Sequence, residues 1–164
     1  MHDSGKRQQF GTGAVRDTAE GKAPWHLMPP CVWHITFKTC YGKYVAGYLE
    51  DGCMLHLEHM FEDMIAHHGA ERLAMWLQKG ADKYEAYNYA KGIPISRCLD
   101  SLGRHLDAHR RCKDDEDHIA AAMCNVAFII HFYQMACQSD DEELNRMIDD
   151  MPAYNKLFGN KENS

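Results

Sequence analysis

The sequence predicts a mainly α-helical protein, a compact bundle of about four to five helices with a small inserted β-hairpin near residues 32–49. From about residue 54 onwards, apolar residues recur with the period of helices, and residues 119–137 form one long apolar run. Before this region, residues 33–38 alternate apolar and polar side chains, as a half-buried strand does. Helices therefore dominate the predicted fold, and strands are confined to one short segment.

The composition is that of an ordinary globular chain. Its 164 residues suffice for a single domain with a core, and 45% of them are hydrophobic and 26% charged. The formal net charge of −6 would repel a long phosphate backbone, so we expect no long nucleic acid as partner. Asn125, His131 and Gln134 interrupt the apolar run, which favours a buried helix over a membrane span.

The seven cysteines contain no C-x-x-C pair, which indicates free thiols in a reducing compartment. The first residues lack the apolar stretch of a signal peptide. We therefore expect a cytoplasmic protein.

The predicted elements follow one another in a simple order. Residues 1–30 read as an irregular arm. Residues 33–38 and 44–49 would pair across a turn at residues 41–43 to form the hairpin inserted within residues 31–54.

Residues 55–138 form the predicted helical core. Gly69 separates its first two helices, Ser96 is the expected N-cap of a helix to about Cys112, and the acidic turn 114–117 precedes a helix to about Cys137. Residues 139–164 would add a short helix, ended by Pro152, and a tail.

Helix 97–112 carries a stripe with metal-binding potential. His105 and His109 are spaced i,i+4, and Cys112 follows one turn later. The same residues also fit the half-buried rim of a packed helix. On the far side, Asp100 with Arg104 and Asp107 with Arg111 read as solvated ion pairs.

The next helix places His118 and Asn125 on the face directed at the core. A buried polar group needs a partner, which would be either a neighbouring helix or a ligand between helices. Asp117, His118 and the preceding acids of the turn 114–117 together supply oxygen and imidazole ligands that Mg²⁺, Mn²⁺ or similar ions accept.

Two further clusters have both a chemical and a structural interpretation. Lys79 and Lys83 share a helix face, which suits a nearby anion, and Asn88 offers an amide for the edge of a base. Alternatively, the two lysines form a solvated face. Carboxylates and histidines on the polar side of helix 55–68 could hold a metal or be solvated. They are His56, Glu58, His59, Glu62, Asp63 and His67.

Several ordered blocks resemble a phage family named for the N-terminal domain of dATP/dGTP diphosphohydrolase. They comprise residues 12–22, 27–30, 79–84, 91–94, 96–97, 100–101, 104–106 and 115–118, with Asn88, Asn125 and residues 152–156. The resemblance implies an all-helical, metal-dependent phage enzyme that cleaves purine deoxynucleoside triphosphates to monophosphate and pyrophosphate, adjusting the pool for DNA containing 2-aminoadenine.

The resemblance also implies roles for individual residues. The metal and the attacking water would be served by His105, Asp117, His118 and Asn125, with His105, Asp117 and His118 as ligands of a divalent ion, Mg²⁺ or Mn²⁺, with Zn²⁺ as an alternative. The phosphates and base of a purine nucleotide would be contacted by Arg16, Lys22, Lys79, Lys83, Asn88, Lys91, Arg97 and Arg104.

The chain departs from the family pattern at two places. Tyr89 stands where the family usually has Trp, and residues 31–70 read as an insertion between two blocks. Because of this insertion, the chain could also be a relative of the family that binds nucleotides without cleaving them. The aromatic side chains of the predicted hairpin would suit an interface between copies of the chain in a homo-oligomer. A third hypothesis is a zinc-stapled helical protein using His105, His109 and Cys112.

The negative charge is unevenly distributed. Residues 114–117 and 140–150 contain ten acidic residues, whereas residues 79–113 contain eight Lys or Arg and four Asp or Glu. A basic stretch next to an acidic, histidine-bearing turn suits a nucleoside triphosphate and its metal ion. The distribution therefore permits a nucleotide partner.

Overall fold

The computed structural model describes residues 5–18, 22, 25–27, 40–51 and 54–151. Six α-helices lie within this part of the chain: α1 (Cys40–Asp51), α2 (Met54–His68), α3 (Ala70–Tyr84), α4 (Ile95–Arg110), α5 (His118–Gln138) and α6 (Glu142–Ile148). Two short 3-10 turns, Trp25–Leu27 and Asn88–Lys91, precede and follow the first three helices. The mainly helical fold predicted from the sequence is confirmed.

Helix α5 forms the centre of the bundle. It packs against α2, α3, α4 and α6, and its residues Ala122, Val126, Ile129 and Phe132 are fully buried. Among the described residues it is the one helix long and apolar enough to cross a membrane by length and composition alone. Its burial agrees with the core helix expected from the sequence.

Helices α2 and α3 follow the predicted boundaries closely. Leu57, Met60 and Met64 of α2 are fully buried in the core, as their spacing of three and four residues predicts. Gly69 separates α2 from α3 with a positive φ of 80°, a conformation that glycine adopts without steric cost. The helix break expected at Gly69 is confirmed.

The hairpin predicted near residues 32–49 is wrong in its second strand. Residues 44–49 belong to α1, and residues 32–39 lie outside the described part of the chain. Val45, Ala46, Tyr48 and Leu49 are all buried, which matches one face of a helix. A Cβ on Gly47 would lie 2.9 Å from the ring of His56, so glycine permits the close approach of α1 and α2.

A two-stranded hairpin does occur, but within the N-terminal segment expected to be irregular. Strand β1 (Arg7–Gln9) pairs antiparallel with β2 (Val15–Asp17), with Gln8 opposite Arg16. Three-residue strands without apolar alternation give no recognisable sequence pattern. Contacts with distant residues hold this hairpin in place, as described below.

The start of α4 differs from the expected Ser96 cap. The helix begins at Ile95 after Pro94, and Asp150 accepts hydrogen bonds from the backbone N–H of Ser96 at 2.9 Å and from its hydroxyl at 2.5 Å. A distant carboxylate thus caps the helix from outside, because Ser96 lies within its first turn. The acidic turn 114–117 precedes α5, as predicted. Asp117 is the N-cap of this helix, and its side chain accepts a hydrogen bond from the backbone N–H of Ala120 at 3.0 Å.

Candidate functional site

A cleft of about 890 Å³ opens between α3, α4, α5, the 3-10 turn at Asn88–Lys91 and strand β2. Its position follows from local sequence. The helical period places His105 of α4 and His118 and Asn125 of α5 towards the same space, and the hairpin adds Arg16. Eight of the residues predicted from the sequence line it: Arg16, Lys22, Asn88, Arg97, Arg104, His105, His118 and Asn125.

One wall of the cleft contains a candidate metal centre. Nδ1 of His105 lies 3.2 Å from Nδ1 of His118 and 3.4 Å from a carboxylate oxygen of Glu116, and Nδ1 of His118 lies 3.7 Å from that oxygen. Among the described residues, this is the group of three whose ligand atoms all lie within 4.8 Å of one another. Glu116 was one of the turn acids considered as oxygen ligands from the sequence, but it was not among the three ligands implied by the family resemblance.

Hydrogen bonding and burial prepare the two imidazoles to act as ligands. Nε2 of His118 lies 3.1 Å from the carboxylate of Asp115, which favours the tautomer that donates from Nε2 and leaves the Nδ1 lone pair directed at the cluster. Burial, with the nearby Arg104 and His118, lowers the pKa of His105 to about 3. His105 is therefore neutral at physiological pH, as metal ligation requires.

The donor set of this cluster fits a divalent ion. Two imidazoles and one carboxylate are a set that Zn²⁺ accepts and that also suits Mn²⁺, whereas Mg²⁺ prefers oxygen ligands. Asp115 supplies the outer carboxylate that commonly orients a ligating histidine. His105, Glu116 and His118 are thus the described residues best arranged to hold such an ion.

Asp117 lies apart from this cluster. Its two oxygens accept hydrogen bonds of 2.7 and 2.9 Å from Arg72 of α3, and it lines a separate depression of about 320 Å³ together with Lys79. Partial burial opposes ionisation, but the bonds from Arg72 and Ala120 lower the pKa of Asp117. Its carboxylate joins α3 to the start of α5.

The second wall of the cleft collects cations. Arg16 donates to Asn125 at 3.2 Å and to Ser101 at 3.4 Å, both neutral partners. Arg104 and Lys22 have no hydrogen bond or ion pair within the described part of the chain. Burial and the neighbouring charge of Arg16 lower the pKa of Arg104 to about 10. The pKa of Lys22 is also lowered, mainly by burial and secondly by the charge of Arg104.

Arg97 and Asp100 correct the expectation of a solvated charged face on α4. Asp100 is only 3% exposed and accepts hydrogen bonds of 2.8 Å from both the backbone N–H and Nδ1 of His26. It lies 3.6 Å from Arg97, and no pair with Arg104 forms. The predicted pair of Asp107 and Arg111 is present at 2.9 Å.

Asn88 uses its amide to attach the N-terminal hairpin. Its side chain accepts from Val15 N–H at 3.1 Å and donates to Val15 C=O at 2.9 Å. The same hairpin is held by Asp17, which accepts from Lys83 at 3.0 Å and from the hydroxyl of Tyr84 at 3.1 Å. Asn88 and Lys83 therefore position the strand that carries Arg16.

The remaining predicted lysines lie outside the lining of the main cleft. Lys79 has its ammonium 5.7 Å from the ring centre of Trp76, and Lys91 is paired with Glu85. His109 and Cys112 are exposed and do not join the cluster of His105, so the zinc staple proposed for these three residues is not assembled. The stacking position Tyr89 lies parallel to Phe128, with ring centres 5.1 Å apart.

The described residues thus form a helical bundle whose cleft brings several cationic side chains to face a candidate metal centre. Comparison with known families makes the assignment more specific. The model of the family "dATP/dGTP diphosphohydrolase, N-terminal" matches residues 51–142, more than half of the chain, and the chain belongs to this family. No curated protein and no solved structure matches it.

The matched range revises one expectation from the sequence. It includes α2, which we had assigned to an insertion spanning residues 31–70, and it ends before residues 152–156. It also does not reach residues 12–30, so the hairpin with Arg16 lies outside it. The candidate metal ligands His105, Glu116 and His118 all lie inside it.

Proposed function

We propose that this chain is a metal-dependent diphosphohydrolase that converts a purine nucleoside triphosphate, such as dGTP or dATP, to the monophosphate and pyrophosphate. The observation that carries the proposal is Arg104, which is partly buried next to His105 and has no hydrogen bond or ion pair among the described residues. An unpaired buried guanidinium is unfavourable, so an anion is expected to complete the site. Membership of the diphosphohydrolase family supports a nucleoside triphosphate as that anion.

The cations would bind the phosphate chain. Arg16, Arg97 and Arg104 come from β2 and α4 and line the same cleft as the cluster of His105. Arg97 adds a buried Nε with no hydrogen-bond partner among the described residues. Positive charge fixed in a sheltered cleft stabilises negative charge that accumulates on departing pyrophosphate.

In the proposed reaction a water oxygen forms a bond to the α-phosphorus. The bond from that phosphorus to the bridging oxygen breaks, pyrophosphate leaves with the electron pair, and the proton of the attacking water passes to the solvent. A divalent ion held by His105, Glu116 and His118 would supply Lewis-acid assistance. Asp115 keeps His118 in the required tautomer, and Asn125 holds Arg16 in place.

The experiment incubates the purified chain with Mn²⁺, Zn²⁺ or Mg²⁺ and with dGTP, dATP or GTP in ¹⁸O-labelled water. Monophosphate carrying the label, together with unlabelled pyrophosphate, is the expected result. His118→Ala should abolish turnover, whereas His109→Ala, which changes an exposed histidine at the end of α4, should not. No turnover with any metal would overturn the enzymatic assignment.

A nucleotide-binding protein without catalysis is distinguished by the same samples. Nucleotide would then raise the melting temperature of the chain without appearance of product.

From the resemblance we also infer a role in nucleotide metabolism during phage infection, in the host cytoplasm. The homo-oligomer expected from the sequence stays a prediction, and analytical sedimentation, which measures the mass of the protein in solution, would test it.

A further inference from the structure

A chain of aromatic rings runs from the mouth of the cleft into the core. Phe132 and Phe128 of α5 have ring centres 5.7 Å apart, Tyr89 stacks on Phe128, and Tyr87 lies 6.5 Å from Tyr89. Tyr87 ends the series and lines the cleft, yet it is 74% exposed. Its ring is therefore available to a ligand.

The backbone next to this ring is strained. Glu85 has φ 127° and ψ 157°, a region that essentially only glycine occupies, and Tyr87 is left-handed with φ 60° and ψ 17°. Neither residue is a glycine, asparagine or aspartate, the types that tolerate positive φ. Strain of this kind concentrates at ligand-binding sites, where it presents a side chain that a relaxed loop would place elsewhere.

The charge around Tyr87 suits a neutral ligand group. Glu85 and Lys91 neutralise each other in an ion pair, and the adjacent lining residues Ala86 and Tyr89 are uncharged. Arg104 and Lys22, which have no hydrogen bond or ion pair among the described residues, line the same cleft. The lining thus combines cations suited to an anionic group with an exposed aromatic ring suited to a flat uncharged one.

We propose that Tyr87 stacks on the base of the bound nucleotide and so determines how strongly the cleft prefers a nucleotide over a bare polyphosphate. This inference rests on the proposed function, because it takes a nucleotide as the ligand. A purine presents a large aromatic face, and stacking on a tyrosine ring needs no defined hydrogen-bond partner. The strained segment 85–87 holds that ring at the cleft mouth.

The test measures calorimetric binding of dGTP and of inorganic tripolyphosphate to the full chain without divalent metal. Tyr87→Ala should weaken dGTP binding about tenfold and leave tripolyphosphate binding unchanged. Tyr87→Phe should retain the affinity for dGTP. Leu55→Ala, which truncates another exposed apolar side chain outside the cleft, should affect neither ligand.

The variant Tyr87→Asn distinguishes a loss of dGTP binding from a loss of folding stability, because asparagine tolerates the left-handed backbone conformation of residue 87. We expect its melting temperature to equal or exceed that of the unaltered chain while dGTP binding falls as in Tyr87→Ala. Equal loss of both ligands, or undiminished dGTP binding in Tyr87→Ala, would overturn the stacking role alone. If the unaltered chain binds neither ligand and also shows no turnover with any metal, the proposed function is overturned as well.

Discussion

Nδ1 of His105 and Nδ1 of His118 lie 3.2 Å apart, although the two residues belong to different helices. This spacing brings two nitrogen ligands to a common point, with Glu116 beside them. The loop between α4 and α5 makes the arrangement possible, since it lets the end of one helix and the start of the next face the same cleft. The relationship leads to a direct prediction about metal binding.

We expect Zn²⁺ or Mn²⁺ to bind the chain and raise its melting temperature. At one hundred times the dissociation constant, binding adds about 2.7 kcal/mol to the free energy of unfolding, or roughly 5–10 °C. Glu116→Gln should remove this increase, and Asp114→Asn, a matched change in the same acidic turn, should retain it. Metal analysis and thermal melting check the prediction; retention of metal by Glu116→Gln would contradict it.

Arg104→Gln should stabilise the free protein while weakening anion binding. The substitution removes a half-buried charge without a partner among the described residues, so we expect the free energy of unfolding to rise by about 1 kcal/mol. Stabilisation by tripolyphosphate should be lost. Urea unfolding with and without tripolyphosphate measures both effects, and Arg110→Gln, on the exposed end of α4, is the control. A less stable variant that still binds tripolyphosphate would refute this account of Arg104.

The attachment of the hairpin should weaken at high pH. Burial and the charge of Asp17 raise the pKa of Tyr84, and the hydrogen bond to Asp17 raises that of Lys83 although burial opposes it. The folded state thus holds both protons more tightly than the unfolded chain, so stability is complete below about pH 10 and is lost as the pH rises further.

Tyr84→Phe tests the alkaline effect. The variant should lose about 1 kcal/mol near neutral pH, because Asp17 loses a hydrogen bond. Its stability should then fall less steeply than that of the unaltered chain above about pH 10. Urea unfolding across this range gives the two slopes, with Tyr87→Phe as the control for an exposed hydroxyl. Parallel pH profiles would show that Tyr84 does not contribute.

Asp150→Ala should destabilise α4 from a distance. The carboxylate caps the first turn through Ser96, so its loss should cost about 1 kcal/mol of unfolding free energy. Asp150→Asn should retain most of the stability, since an amide oxygen also accepts a hydrogen bond. Asp140→Ala, at an exposed position, is the control. Metal affinity should be unchanged in all three variants, and a loss confined to metal binding would contradict a capping role.

The amino-acid sequence by itself determined the helices from residue 54 onwards, their order and the inward face of α5. Helical periodicity is local, so Leu57, Met60 and Met64 could be placed in the core before any contact was known. The same reasoning placed His118 and Asn125 inward, and they are 6% and 2% exposed. Residues 44–49 were misassigned because a short apolar run fits either a strand or a helix.

The tertiary structure alone decided which polar side chains share the cleft. Glu116 and Asp117 are adjacent acids, and the path of the loop turns one towards His105 and the other towards Arg72. Asn88 is committed to Val15, more than seventy residues earlier, which no local pattern reveals. Residues distant in sequence determine the environment of a charge. Helical periodicity therefore predicted a solvated pair of Arg104 with Asp100, whereas Arg104 is half-buried and lines the cleft, where the family resemblance had placed it.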